Sequence, residues 1–196
     1  MNKIYICIYH RPDYDEFKHY FDDIKNVKVV LGNITSYSCE CIATAGNSYG
    51  MMDGGIDGTI NYFLDYCQGQ VQSHIEKYYM GECPVGSSFI VPVNNKNYKY
   101  LCYTPTMKIP DNVSDSLNAY LSFRSTLVTC INCGIKEVIV PLYCHGVGRM
   151  ETKEVLRQYK EAITSIFLPT KYNWDSIRAN HLRHIGKHQN SKHTVR

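Results

Sequence analysis

Strand-like and helix-like stretches alternate along this chain, and that alternation most limits what it can fold into. Lys3–Tyr9 and Val27–Leu31 are short β-branched and aromatic runs that flank an acidic, aromatic helical segment at Asp13–Phe21. Cys39–Ala45 is an apolar run of the kind expected for a strand buried on both faces. Ile56, Ile60, Phe63, Leu64 and Cys67 fall at helical spacing, and Val71, Ile75, Tyr78 and Tyr79 continue that period. Ser88–Val93 and Lys99–Thr104 read as strands on either side of an asparagine-rich turn, Asn94–Asn97. Ser114 or Asp115 is predicted to cap a helix with the apolar face Leu117, Tyr120, Leu121, Leu127, Val128 and Ile131, closed by Gly134. Glu137–Leu142 reads as a strand, and a helix from about Thr152 carries Val155, Tyr159, Ala162, Ile163 and Ile166 until Pro169 breaks it. Strands interleaved with helices in this way imply a layered α/β domain.

Size and charge narrow the classes further. The 196 residues suit one domain with an appendage, and 44% hydrophobic content supplies a core that excludes disorder of the body. Residues 1–170 hold 15 basic and 17 acidic side chains, whereas residues 171–196 hold six basic ones against Asp175. The net charge of +3 is therefore a mildly acidic body carrying a basic, histidine-containing tail. No run reaches the roughly 18 apolar residues of a membrane span, and the N-terminal run is too short for a signal-peptide core. The expectation is a soluble, intracellular, cytoplasmic protein whose nine cysteines are reduced thiols, with no membrane partner.

Two glycine loops carry the chemistry. Gly46–Gly58 follows one buried strand and opens a helix; Cys144–Gly148 follows another strand. Ligands of open α/β sheets bind beyond the carboxyl ends of the strands. Glycines let backbone amides come close there, and a helix N-terminus favours anionic oxygens. Two such loops facing each other would cradle a phosphate or diphosphate, although either loop taken singly is equally explained by a tight turn.

The order of these segments resembles a macro domain. Gly32-Asn33-Ile34-Thr35, then Ala43-Thr44-Ala45-Gly46-Asn47, then Gly54-Gly55-Ile56-Asp57-Gly58, then Pro141 to Gly148 follow the family's sequence of motifs. The resemblance implies a three-layer α/β/α sandwich with a central mixed sheet over residues 1–170, followed by the basic segment 171–196. It implies ADP-ribose or an ADP-ribosylated protein as partner, and no cofactor or metal. Asn33 would meet the adenine, its amide oxygen accepting from the amino group where the family has an aspartate, and Ile34 beside it is a further ligand-binding residue. Thr44 replaces an asparagine of the family's quartet. Asn47 would orient the distal ribose, and Asp57 would sit beside that ribose and a water. Gly54, Gly55 and Ile56, together with Gly146, Val147 and Gly148, would bind phosphates through their amides. The late loop is one residue shorter than usual, with Cys144-His145 where the family has Ser-Thr.

The chemistry of hydrolysis at an ADP-ribosyl ester calls for a positioned water and a carboxylate base. Asp57, in the first turn of a helix, is expected to stay ionised and suit that task, although an aspartate there is also a favourable dipole partner with no catalytic duty. His145 would donate to a phosphate or protonate a leaving phosphate, and the alternative is an exposed loop histidine. The functional expectation is ADP-ribose binding with hydrolysis of mono-ADP-ribosyl esters or of ADP-ribose 1″-phosphate by Asn47, Asp57 and His145. The alternative is a non-catalytic ADP-ribose reader. Cys39-x-Cys41 and Cys130-x-x-Cys133 read as core thiols rather than zinc ligands. Trp174 or Tyr172 would stack on the adenine. His181, His184, His188 and His193 read as part of a solvated helix (174–185) and tail, which carries no nucleic-acid motif.

Overall fold

A computed structural model describes residue 1, residues 3–167, Asp175 and Arg178. The elements in chain order are β1 (Lys3–Ile8), α1 (Arg11–Phe21), β2 (Val27–Leu31), a 3-10 turn (Ile34–Ser36), β3 (Cys41–Asn47), α2 (Gly55–Phe63), α3 (Gln68–Tyr79), β4 (Phe89–Pro92), β5 (Tyr100–Met107), α4 (Asn118–Asn132), β6 (Glu137–Val140) and α5 (Thr152–Phe167). The chain divides into two compact units, Met1–Ala162 and Ile163–Arg196. In the second, the described residues are the end of α5 and the helical, exposed Asp175 and Arg178. The predicted helix 174–185, the aromatic candidates Tyr172 and Trp174 and the four tail histidines otherwise lie outside the described residues.

The first unit is built on a six-stranded sheet of order β2-β1-β6-β3-β5-β4. Its strands run parallel except β4, which pairs antiparallel with β5. Alternation along each strand supplies both faces. On β5, Leu101 and Tyr103 join the cluster formed with α2 and α3 around Ile60, Val71 and Ile75. Thr104, next along the strand, points the other way and bonds Thr126 of α4 at 2.8 Å. On that second face Phe123 of α4 stacks on Tyr159 of α5 at 3.9 Å, and Phe17 of α1 meets the same ring edge-on. The arrangement is the expected three-layer α/β/α sandwich with a mixed sheet.

Three expectations need correction. The single helical period from Ile56 to Tyr79 is two helices, separated by Asp65 and Tyr66 in the left-handed region at φ +58° and +62°. The hydrophobic phase survives the break because Leu64 and Cys67 still point into the core, so periodicity alone could not locate it. Secondly, neither Ser114 nor Asp115 caps α4, which starts at Asn118. Its first amides are held instead by Ser116 Oγ, at Asn118, and by Gln158 Oε1 of α5, at Tyr120, 2.8 Å away. Finally, Cys41 and Cys130 are core thiols, but Cys39 is half-buried and Cys133 is exposed at the end of α4.

Candidate functional site

Strand order places the site. β1 and β6 lead to α1 and α5 on one face of the sheet, while their neighbour β3 leads to α2 on the other, and the loops after their carboxyl ends part around a cleft of about 660 Å³. Asn33 and Ile34 after β2, Asn47 at the end of β3, Gly54 to Asp57 at the start of α2, and His145 to Gly148 after β6 all line this one cleft. The candidate catalytic and ligand-binding residues of the two glycine loops are therefore brought together.

Close packing explains the glycines. A Cβ on Gly46 would lie 2.3 Å from the Tyr103 ring, whose hydroxyl accepts from the Asn47 N–H at 3.1 Å and donates to the Asn47 carbonyl at 2.8 Å. A Cβ on Gly148 would lie 2.5 Å from the Cys144 carbonyl oxygen. The later loop is a compact hook, with Cys144 at φ +63° and the Met150 N–H bonded back to Cys144 O at 2.9 Å. Gly55 opens α2 at φ +55°, a conformation in which a side chain is strained.

Side chains in and around the first loop hold the backbone of Tyr49, Met51 and Met52. Asn47 Oδ1 accepts from Tyr49 N at 3.0 Å and Met51 N at 3.3 Å, while Nδ2 donates to Met51 O at 2.7 Å. Met52 is gripped from the α2–α3 corner: its N–H donates to Gln68 Oε1 at 2.7 Å, and its carbonyl accepts from Asn61 Nδ2 at 3.2 Å. Gln68 N–H in turn donates to Asn61 Oδ1 at 2.9 Å.

Asp57 is buried, with 7% of its surface exposed. The Thr44 hydroxyl donates to its carboxylate across the gap between β3 and α2. Burial pushes the Asp57 carboxyl up to about 7, against the pull of the Thr44 hydrogen bond and helped by the charge of Asp53. The expectation of a fully ionised carboxylate is corrected here: removal from water outweighs the helix N-terminus, and the group titrates in the neutral range.

Asn33 is a second correction. Its Oδ1 accepts from both the backbone N–H of Thr35 at 3.0 Å and the Thr35 hydroxyl at 2.9 Å, capping the short 3-10 turn. The oxygen expected to accept from an adenine amino group is thus committed to the turn, and the amide N–H groups are what Asn33 has left to offer.

Sequence reasoning missed Asp13. It lines the cleft from α1, accepts from the Thr152 hydroxyl at 2.7 Å, and lies 3.3 Å from His145 Nε2. No motif marks it, because its partners are 132 and 139 residues away. Tyr103 and Gln68 were likewise invisible as supports of the first loop. Burial pushes the Cys144 thiol up to about 12, so it is a poor nucleophile beside His145. Among the described residues no group of three or more His, Cys, Asp or Glu could hold a metal ion, and no helix is long and apolar enough to cross a membrane.

A family profile described as Macro domain matches residues 43–159, from within β3 to the middle of α5. The chain belongs to the macro domain family. An uncharacterized protein of Aeropyrum pernix is 28% identical over 66% of this chain and 66% of its own length. O-acetyl-ADP-ribose deacetylase 1 of Pantoea vagans is 29% identical over 63% of this chain and 72% of its own length. Among solved structures, a point mutant of the Oceanobacillus iheyensis macrodomain with ADPR superposes with a TM-score of 0.60 at 17% identity, covering 69% of this chain and 74% of that one. Within the macro domain frame, the Thr44–Asp57 contact and the Asp13–His145–Thr152 cluster fall where this chain's motifs depart from the usual ones, at Thr44 and at Cys144-His145.

Proposed function

We propose that this macro domain binds ADP-ribose and hydrolyses mono-ADP-ribosyl esters on proteins or a related derivative, ADP-ribose 1″-phosphate among them. The observation that carries the reading is the meeting of Asn47, a buried Asp57 and the amides of both glycine loops in one cleft. The deacetylase from Pantoea vagans and the ADPR-bound Oceanobacillus structure support the ligand class.

The residues divide the work by type. Gly54, Gly55 and Ile56 at the N-terminus of α2, with Gly146, Val147 and Gly148 opposite, offer amides to the diphosphate. Asn47 keeps one amide hydrogen free of its loop for a ribose hydroxyl. Thr44 occupies one oxygen of the Asp57 carboxylate and leaves the other to take a proton from an attacking water. A titration near 7 suits a general base, whose contribution is typically about 10²–10⁴-fold. His145 protonates or hydrogen-bonds a phosphoryl oxygen.

Incubating the protein with a mono-ADP-ribosylated substrate and measuring released ADP-ribose tests this. Asp57→Ala should lower release by about 10²–10⁴-fold while ADP-ribose affinity holds within a few-fold. Binding without release from any modified substrate by the unaltered chain would establish the second reading, a non-catalytic reader. That reading draws on the hydrogen bonds that already occupy Asn47 and Asp57.

A further inference from the structure

A cleft meant for a diphosphate has an unexpected charge balance here. Its lining includes the carboxyl groups of Asp13, Asp53 and Asp57, and among the described residues it includes no lysine and no arginine. The lining side chains able to become cations are His10 and His145. Backbone amides can bind anionic oxygens, but they carry no formal charge to offset Asp13, Asp53 and the ionised fraction of Asp57. A dianionic ligand entering this space is stabilised if protons enter with it.

The two histidines are not equivalent. His10 precedes α1 and packs edge-on against Tyr9. His145 directly precedes the Gly146-Val147-Gly148 amides, and its Nε2 lies 3.3 Å from Asp13 Oδ2. Thr152 at the start of α5 fixes the other Asp13 oxygen at 2.7 Å. The pair is largely shielded, with 30% of the His145 side chain and 18% of that of Asp13 exposed. Nδ1 of His145 has no partner among the described residues. A hydrogen bond from one ring nitrogen to a carboxylate orients the ring and leaves Nδ1 to meet a ligand. Other ionisable groups face the same space: Cys7 and Cys144, both with thiols raised to about 12 by burial, Asp53 from the first loop, and Asp57 from α2, which burial raises to about 7. Of these, Asp57 is the one that could also take up a proton near neutral pH.

We infer that diphosphate binding in this cleft is coupled to proton uptake at His145, with Asp13 as the positioning residue that holds the ring for that role. The inference rests on the ADP-ribose reading for its ligand but concerns only the diphosphate. Asp13 touches no ligand itself; it acts by orienting His145 and compensating its charge.

Calorimetric titration of the full chain with ADP and with ADP-ribose, in buffers of different ionisation enthalpy at pH 7.5, counts the protons. The diphosphate of ADP-ribose is esterified at both ends and has no group titrating near neutral pH, whereas the terminal phosphate of ADP takes up a proton of its own, so ADP-ribose carries the count and Asp57→Asn removes the Asp57 share. The expected result with ADP-ribose on the Asp57→Asn protein is uptake of roughly 0.5–1 proton, and an affinity about tenfold weaker at pH 8.5 than at pH 6.5. In that Asp57→Asn background His145→Gln should abolish most of the uptake, and Asp13→Asn should reduce it with its shape and Thr152 contact retained. Thermal melting confirms that each variant is folded; if His145→Gln is not, Asp13→Asn carries the same comparison. Binding without proton uptake, or uptake unchanged in both the His145 and Asp13 variants, overturns the coupling and leaves the ligand reading intact. Uptake with ADP that falls in the His145 and Asp13 variants, without any ADP-ribose binding, overturns the ligand reading and keeps the coupling. No binding of either compound overturns both.

Discussion

Asp57→Asn should make the folded protein more stable at alkaline pH, and by an amount that grows with pH. The Asp57 carboxyl rises from its ordinary 3.8 to about 7 in the folded protein. A group that holds its proton more tightly when folded contributes stability in acid, and that contribution is lost as pH climbs from about 4 towards 7. At about 1.4 kcal/mol per tenfold change, the whole cost of ionising Asp57 in place is roughly 4 kcal/mol above pH 7. Between pH 5 and pH 8 the loss attributable to this one group is roughly 2–3 kcal/mol. The asparagine has no such term and can still accept from the Thr44 hydroxyl. Urea unfolding of both proteins at pH 5 and pH 8 gives the stabilities directly. The variant's advantage should widen by roughly 2–3 kcal/mol over that interval. A difference that stays flat with pH would refute the burial argument and restore the helix N-terminus as the dominant influence on Asp57.

The same titration governs the proposed hydrolysis: kcat should climb through about pH 7, because the ionised carboxylate is the base, and a flat profile between pH 5.5 and 8 would remove Asp57 from that role. Gly46→Ala should cost about 1–3 kcal/mol in chemical denaturation, because its methyl group would overlap the Tyr103 ring, and should weaken ADP-ribose binding by displacing the start of the first loop. Tyr159→Phe should cost about 1–3 kcal/mol, since the Tyr159 hydroxyl accepts from Tyr143 N at 2.8 Å and donates to Pro141 O at 2.6 Å, and its removal strands a buried amide.

What could be read in advance followed the range of the interactions responsible. Strand runs such as Val27–Leu31 and the start of α5 at Thr152 are set by short-range patterns, and the structure places them where the sequence does. Both glycine loops were visible because close backbone approach needs glycine at Gly46 and Gly148 whatever lies opposite. The identity of those opposing groups, the Tyr103 ring and the Cys144 carbonyl, was hidden because it depends on tertiary packing. The start of α4 is hidden in part for a similar reason: one of its first amides is held by Gln158, 38 residues beyond Tyr120, while the local serine that holds another is Ser116 rather than Ser114. The Asp57 charge state failed through a competition of two effects. Position on the helix is legible in sequence, whereas the depth of burial that outweighs it is not.

The grip on Met52 has a consequence for how the cleft fills. Asn61 and Gln68 satisfy both backbone groups of Met52 from within the chain, and Asn47 ties down the amides of Tyr49 and Met51. Ordering a loose segment costs about 1–2 kcal/mol per residue in conformational entropy, and a loop braced in this way has met much of that cost during folding. Contacts made by a ligand can then appear in its affinity nearly undiminished. Hydrogen exchange at the Met52 amide should accordingly be slow in the empty protein and change little on saturation, with the tight loop acting as a fixed anvil against which the ligand is pressed.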